Sequence, residues 1–119
     1  MNETQGLLEA VIKGLQEKKG KNIVVVDLTH ISGSICDYMV VGEGNTPTQT
    51  SSLCDSVLDY ARREADERPL SVVGQSNAQW IGLDYGTVIV HIFLPELREF
   101  YSIETLWEDS KIEQVPDIL

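Results

Sequence analysis

The chain has few cysteines and no long apolar run, and each shortage excludes a class of protein. Its two cysteines, Cys36 and Cys54, are too few for the disulfide framework of a small secreted domain, and neither belongs to a Cys-x-x-Cys motif. No apolar run approaches the roughly 18 residues of a membrane span. No apolar segment of the signal-peptide kind follows the N-terminus. We therefore expect a cytoplasmic protein with no membrane contact, in which both thiols are reduced and packed.

Basic residues are also scarce, and this bears on the partner. The chain has 9 Lys and Arg against 19 Asp and Glu, a formal net charge of −10 and a sequence pI near 4.4. The acidic excess is spread along the whole chain and is not confined to a tail. Such a surface repels phosphate groups, which excludes direct nucleic-acid readout and binding to anionic membranes. A basic protein partner is compatible with this charge.

What the sequence does contain is the pattern of one α/β domain. The 119 residues are 42% apolar and form a single globular unit with one core. Apolar residues recur at helical spacing in two segments, Pro95 marks the start of a short third helix, and strand-like runs lie between the helices, so the predicted element order is α-β-β-α-β-β-β-α. This order predicts a mixed sheet with flanking helices. The first three elements are a helix over Glu3–Lys19 and strands over Ile23–Leu28 and Asp37–Gly42. A second helix follows, capped by Asn45 or Thr46 with Pro47 in its first turn and reaching about Ala65, and then a strand over Leu70–Val73.

The clearest element is a β-hairpin. Strands at Trp80–Asp84 and Thr87–Leu94 with a Tyr85-Gly86 turn would pair Trp80 with His91. Because side chains alternate between faces, one face is aliphatic core and the other is mixed. The mixed face is either covered by a helix or exposed for recognition, since aromatic residues beside polar groups are typical of interfaces. The aliphatic set is Ile81, Leu83, Val88, Val90 and Ile92, and the mixed set is Trp80, Gly82, Asp84, Thr87, Ile89, His91 and Phe93.

The residues after the hairpin have a less regular apolar pattern. Pro95–Tyr101 is predicted to form a short helix, and Ile103, Leu106 and Trp107 are predicted to pack on the domain. The last twelve residues, 108–119, are mostly polar and are expected to form a loosely held tail. Two glycines of the hairpin are interpreted as backbone requirements, Gly82 for close approach of another group and Gly86 for the turn.

No catalytic apparatus is visible. The turn from Gly42 to Pro47 is glycine-rich, but it lacks a P-loop lysine and the third glycine of a dinucleotide fingerprint, and Glu43 would repel phosphate. The acid-x-acid spacing of Glu64 and Asp66 suits a solvated helix end. Neither histidine has a neighbour at metal-ligand spacing. We expect no catalytic residue, metal or cofactor. The alternative is a nucleotidyltransferase-like enzyme or nucleotide-binding protein that uses the Gly44-Asn45-Thr46 turn.

Several segments together resemble the ribosomal silencing factor (Iojap-like) family. They are Asp37-Tyr38-Met39-Val40-Val41, Gly44-Asn45-Thr46, Trp80-Ile81-Gly82-Leu83-Asp84-Tyr85-Gly86, Val90-His91-Ile92-Phe93 and the run from Arg98 to Trp107. The resemblance covers residues 1–107 as one domain and offers no role for the tail at 108–119.

The resemblance carries implications for fold and function. It implies a nucleotidyltransferase-like α/β fold that has lost catalysis. It implies binding to the large ribosomal subunit through ribosomal protein L-fourteen, which blocks joining of the small subunit and represses translation under nutrient limitation. The sequence leaves open whether the free protein forms a homodimer.

The resemblance also makes part of the mixed hairpin face, with the nearby helix, a candidate docking patch. The chain departs from the family pattern at Thr87, where Asp is usual, and at Gln75, where an acid is common. The second helix also carries Pro47, Thr48 and Thr50 in place of longer side chains. These departures leave the face around Trp80 intact. The candidate partner-binding residues are Trp80, Asp84, His91, Phe93 and Tyr101.

Overall fold

The computed structural model of the protein describes residues 3–106 and 110–117. The predicted element order is confirmed, with one added strand near the C-terminus. The elements are α1 (Glu3–Glu17), β1 (Lys21–Asp27), β2 (Tyr38–Glu43), α2 (Pro47–Ala65), β3 (Ser71–Val73), β4 (Trp80–Asp84), β5 (Val88–Phe93), α3 (Pro95–Tyr101), a 3-10 turn (Ile103–Thr105) and β6 (Lys111–Gln114).

The six strands form one sheet in the order β3-β4-β5-β2-β1-β6. Strands β2 and β5 are parallel, and every other neighbouring pair is antiparallel. Helices α1 and α2 pack on one face of the sheet. The other face is covered in part by Ile103, by Leu97 of α3 and by the segment after β1. The predicted mixed α/β fold is therefore confirmed.

The core lies on both sides of the sheet, as the continuous apolar run in β1 requires. Four consecutive residues, 23–26, are buried. Ile23 and Val25 join the cluster beneath α1 and α2, whereas Val24 and Val26 join the cluster on the opposite face. A strand with both faces apolar is stable only between two covering layers. Both cysteines are free and buried, as predicted.

The hairpin differs from the predicted register by two residues. Trp80 pairs with Phe93 and Gly82 with His91. The backbone N–H of Tyr85 donates to the carbonyl oxygen of Val88 at 2.9 Å, so the turn is one residue further on, with Gly86 at a φ of +87°. Since faces alternate with a period of two, an even shift leaves every side chain on its predicted face. The predicted aliphatic core is therefore confirmed although the pairing was wrong.

The C-terminal expectations need two corrections. Residues 111–114 form β6, which pairs antiparallel with β1, so this stretch is an edge strand and not a loosely held tail. The pairing continues where Val115 N–H donates to the Ile23 carbonyl oxygen at 2.8 Å. Leu106 was predicted to pack but is 64% exposed, whereas Ile103 is buried as predicted. Trp107 lies outside the described residues.

Candidate partner-binding surface

Three of the predicted site residues form one aromatic cluster. Trp80 begins β4, Phe93 lies opposite it on β5, and Tyr101 ends α3. The ring centroids of Trp80 and Phe93 are 4.8 Å apart, and those of Trp80 and Tyr101 are also 4.8 Å apart. Phe93 is completely buried, Trp80 is half-buried and Tyr101 is 46% exposed. Phe93 therefore supports the Trp80 ring and has no exposed surface to offer a partner, which corrects its interpretation as a direct contact residue.

Phe100 extends this surface and was missed in the sequence. Its side chain is 79% exposed, and its ring meets Tyr101 edge-on with centroids 5.0 Å apart. Exposed adjacent aromatic rings with apolar bodies are typical of protein interfaces. Helix α3 has seven residues, too few for apolar periodicity to assign its exposed side.

His91 fixes the orientation of Trp80. The indole Nε1–H of Trp80 donates to His91 Nδ1 at 3.0 Å. Nδ1 must therefore carry a lone pair, which places the single proton of the neutral imidazole on Nε2. Burial lowers the pKa of His91 to about 4, so the ring is neutral at physiological pH and can accept this hydrogen bond.

This arrangement predicts a loss of stability in mild acid. The folded-state pKa of His91 is about 4, below the ordinary histidine pKa of 6.5 that we expect in the unfolded chain. As pH falls from 6.5 towards 4, the unfolded chain binds a proton that the folded chain does not, so the stabilisation present above pH 6.5 is lost. From these values we expect the His91 contribution to decrease by about 2 kcal/mol between roughly pH 7 and pH 5.

Urea denaturation at both pH values measures this decrease. His91→Asn keeps a side-chain acceptor on the same strand but does not titrate in this range. The wild type should lose more stability than the variant, and an identical pH dependence of the two proteins would contradict the assignment.

Arg98 holds α3 against the sheet. Its guanidinium donates from Nη1 to Glu43 at 2.9 Å and from Nε to Glu104 at 2.9 Å. Nη1 also contacts the backbone carbonyl oxygen of Asn22. Only 7% of Arg98 is exposed, so this is a buried ion cluster linking α3 to β1 and β2. It positions the helix that carries Phe100 and Tyr101.

Asp84 places a negative charge on the same face. Its Oδ1 accepts a hydrogen bond from the Gly86 backbone N–H at 2.8 Å, which stabilises the turn. Within residues 3–106 and 110–117, no basic side chain forms an ion pair with Asp84. Two further acids, Glu96 and Glu99, are exposed on α3. The arrangement is an apolar aromatic surface with unneutralised acids near it, which suits a basic protein contact.

The described residues offer no metal centre and no membrane segment. Over the described ranges, no group of three or more His, Cys, Asp or Glu side chains could hold a metal ion. No helix in the described part of the chain is long and apolar enough to cross a bilayer.

Solved structures share this fold. A crystal structure of a Chromobacterium violaceum protein is similar with a TM-score of 0.83 and 31% identity, covering 98% of this chain and 94% of that chain. A crystal structure from Bacillus halodurans is similar with a TM-score of 0.76 and 26% identity, covering 94% and 98%. The chain is thus a small mixed α/β domain with the fold of these bacterial proteins.

Residues 1–118 match the sequence model described as "ribosomal silencing factor during starvation". The chain belongs to the ribosomal silencing factor family. The ribosomal silencing factor of Chromobacterium violaceum is 32% identical over 109 residues, covering 92% of this chain and 88% of that protein. The factor of Haemophilus influenzae is 34% identical over 101 residues, covering 85% and 97%.

A mouse protein named "mitochondrial assembly of ribosomal large subunit protein 1" is also similar. It is 24% identical over 114 residues, and the match covers 91% of this chain but 50% of the mouse protein. The resemblance inferred from the sequence motifs is therefore confirmed at the level of the family.

Proposed function

We propose that this protein binds the large ribosomal subunit through ribosomal protein L-fourteen and blocks joining of the small subunit, which represses translation under nutrient limitation. The observation that carries the proposal is the partly exposed aromatic surface of Trp80, Phe100 and Tyr101 on a domain with a net charge of −10. Aromatic anchors supply most of the binding energy of an interface, and an acidic domain favours a basic ribosomal protein over RNA. Family membership and the name of the mouse relative support the choice of the large subunit.

Local geometry at the start of α2 favours a binding protein over the enzyme alternative. Thr46 caps the helix by accepting from the backbone N–H of Gln49 at 3.1 Å. The Gln49 side chain in turn accepts from the backbone N–H of Asn45 at 2.7 Å. A phosphate cradle needs free amide donors at this turn, and the chain's own side chains engage two of them.

Co-sedimentation with isolated ribosomal subunits tests the proposal. We expect the protein to pellet with large subunits and not with small subunits, and to be captured by isolated ribosomal protein L-fourteen. Equal binding to both subunits, or binding to naked ribosomal RNA in place of L-fourteen, would contradict the proposal.

A thermal-shift measurement tests the enzyme alternative. A nucleotide at about 100 times its Kd would add roughly 2.7 kcal/mol to stability, so a saturable rise in melting temperature with ATP or GTP and magnesium would favour the enzyme.

The charge of the domain predicts a salt-dependent association rate. Exposed acids attract a basic partner over long range, and salt screens such charges beyond about 8 Å at physiological ionic strength. We expect the association rate with isolated L-fourteen to fall clearly between roughly 50 and 500 mM salt. The dissociation rate should change much less, since it reflects the apolar contacts of Trp80 and Tyr101. Stopped-flow kinetics measures both rates, and an association rate indifferent to salt would show that the acidity does not steer encounter.

A further inference from the structure

Among residues 3–106 and 110–117, no contact requires Gly82, in the middle of β4, to be a glycine. A glycine inside a strand weakens it unless a tight contact or an unusual backbone angle requires one. Gly74 shows such a requirement: its φ is +84°, and an added Cβ would lie 2.0 Å from the Trp80 carbonyl oxygen. At Gly82 an added Cβ would meet only Val73 Cγ2 at 3.4 Å and His91 Nδ1 at 4.0 Å. Within the described residues, no group approaches position 82 closely enough to require a glycine there.

Because Gly82 has no side chain, there is a gap at this position on the mixed hairpin face, which carries the candidate docking patch. Val73 lies opposite Gly82 on β3, and His91 lies opposite it on β5. Trp80 and Asp84 are two residues away along β4, on the same face as Gly82. The gap therefore has a backbone floor, an apolar wall at Val73, a neutral imidazole at the other side and a carboxylate at one end. Val73 is 64% exposed, and Gly82 and Asp84 are partly exposed, so this part of the face is open to solvent.

We propose that the gap above Gly82 receives an arginine or lysine side chain of the partner protein, with its cationic head at Asp84. This inference rests on the proposed function and adds a specificity-determining position to it. The alkyl stem of such a side chain suits the apolar wall at Val73. The carboxylate of Asp84 has no basic partner within the described ranges, and the domain as a whole attracts cations.

The test uses the full chain and measures the Kd for isolated large ribosomal subunits. Gly82→Val fills the gap and should weaken binding by about tenfold or more, without lowering the melting temperature. Asp84→Asn removes the charge but keeps the Oδ1 acceptor for Gly86, and it should also weaken binding by about tenfold. The matched controls are Gly6→Val, where nothing lies within 4 Å of an added Cβ, and Asp55→Asn on the exposed side of α2. Both controls should bind as the wild type does.

Four results would overturn the inference in distinguishable ways. If the wild type does not bind large subunits, the proposed function fails and the inference fails with it. If the wild type binds and Trp80→Ala weakens binding, but Gly82→Val binds normally, the gap alone is disproved. If Gly82→Val weakens binding but Asp84→Asn does not, the occupant is not basic. Should Gly82→Val prove unstable, Gly82→Ala takes its place, and its single methyl group should weaken binding by about threefold; unchanged binding would again disprove the gap.

Discussion

Trp80→Ala should weaken binding to the large ribosomal subunit by about 2 kcal/mol or more, the loss typical of a truncated aromatic anchor. The indole is half-buried, lies 4.8 Å from the Phe93 and Tyr101 ring centroids and donates to His91. Its removal takes away the proposed contact surface and also removes packing from the Phe93 and Tyr101 rings. We therefore expect stability to fall as well, but by less than the roughly 3–5 kcal/mol lost when a fully buried aromatic is removed.

Equilibrium denaturation beside a binding titration separates the two effects of Trp80→Ala. Tyr60→Ala is a matched control, because Tyr60 is a half-buried aromatic on α2, on the other side of the sheet. It should lose some stability and retain binding. If Trp80→Ala lost stability while binding per folded molecule stayed unchanged, Trp80 would be a packing residue and not an anchor.

The second large effect is expected at Arg98. Arg98→Met would leave the carboxylates of Glu43 and Glu104 without their cation in a buried cluster. Breaking a buried ion pair on one side is expected to destabilise the fold by about 3–5 kcal/mol. Arg62→Met is the control, since Arg62 pairs with Asp59 at the surface, where ion pairs contribute about 0–1 kcal/mol.

Urea denaturation of both variants gives the comparison. Arg98→Met should also weaken ribosome binding, because α3 carries Phe100 and Tyr101. A loss of stability no larger than that of Arg62→Met would show that the buried cluster does not hold α3 in place.

The strongly patterned parts of the fold could be predicted from sequence. The valine run of β1 indicates a strand buried on both sides, and the helical spacing in α1 together with the Thr46-Pro47 start of α2 indicates the two long helices. The hairpin faces could also be predicted, because alternation along each strand does not depend on the exact pairing. The register of the β4–β5 hairpin could not be predicted, since both Tyr85-Gly86 and Gly86-Thr87 are acceptable turns around the same glycine.

Other features depend on tertiary contacts that leave little trace in sequence. All four residues of β6 are exposed, so this strand has no apolar pattern and is held by backbone pairing to β1. Arg98 is buried because it pairs with two acids, Glu43 and Glu104. Glu43 is distant from Arg98 along the chain and Glu104 is not at a regular helical spacing from it, so the sequence does not reveal either pair. Phe93 could be assigned to the correct face, but its burial depends on where α3 packs. The contacts of Arg98 and Phe93 also shape the candidate docking surface.

Subunit joining measured on sucrose gradients tests the central claim most directly. Large subunits are first incubated with the protein or with Trp80→Ala, and small subunits are then added under conditions that favour joined ribosomes. We predict that the wild-type protein stays with the large subunit and sharply reduces the joined-ribosome peak, and that Trp80→Ala leaves this peak close to its normal size. A normal joined-ribosome peak that contains the bound wild-type protein would contradict the account.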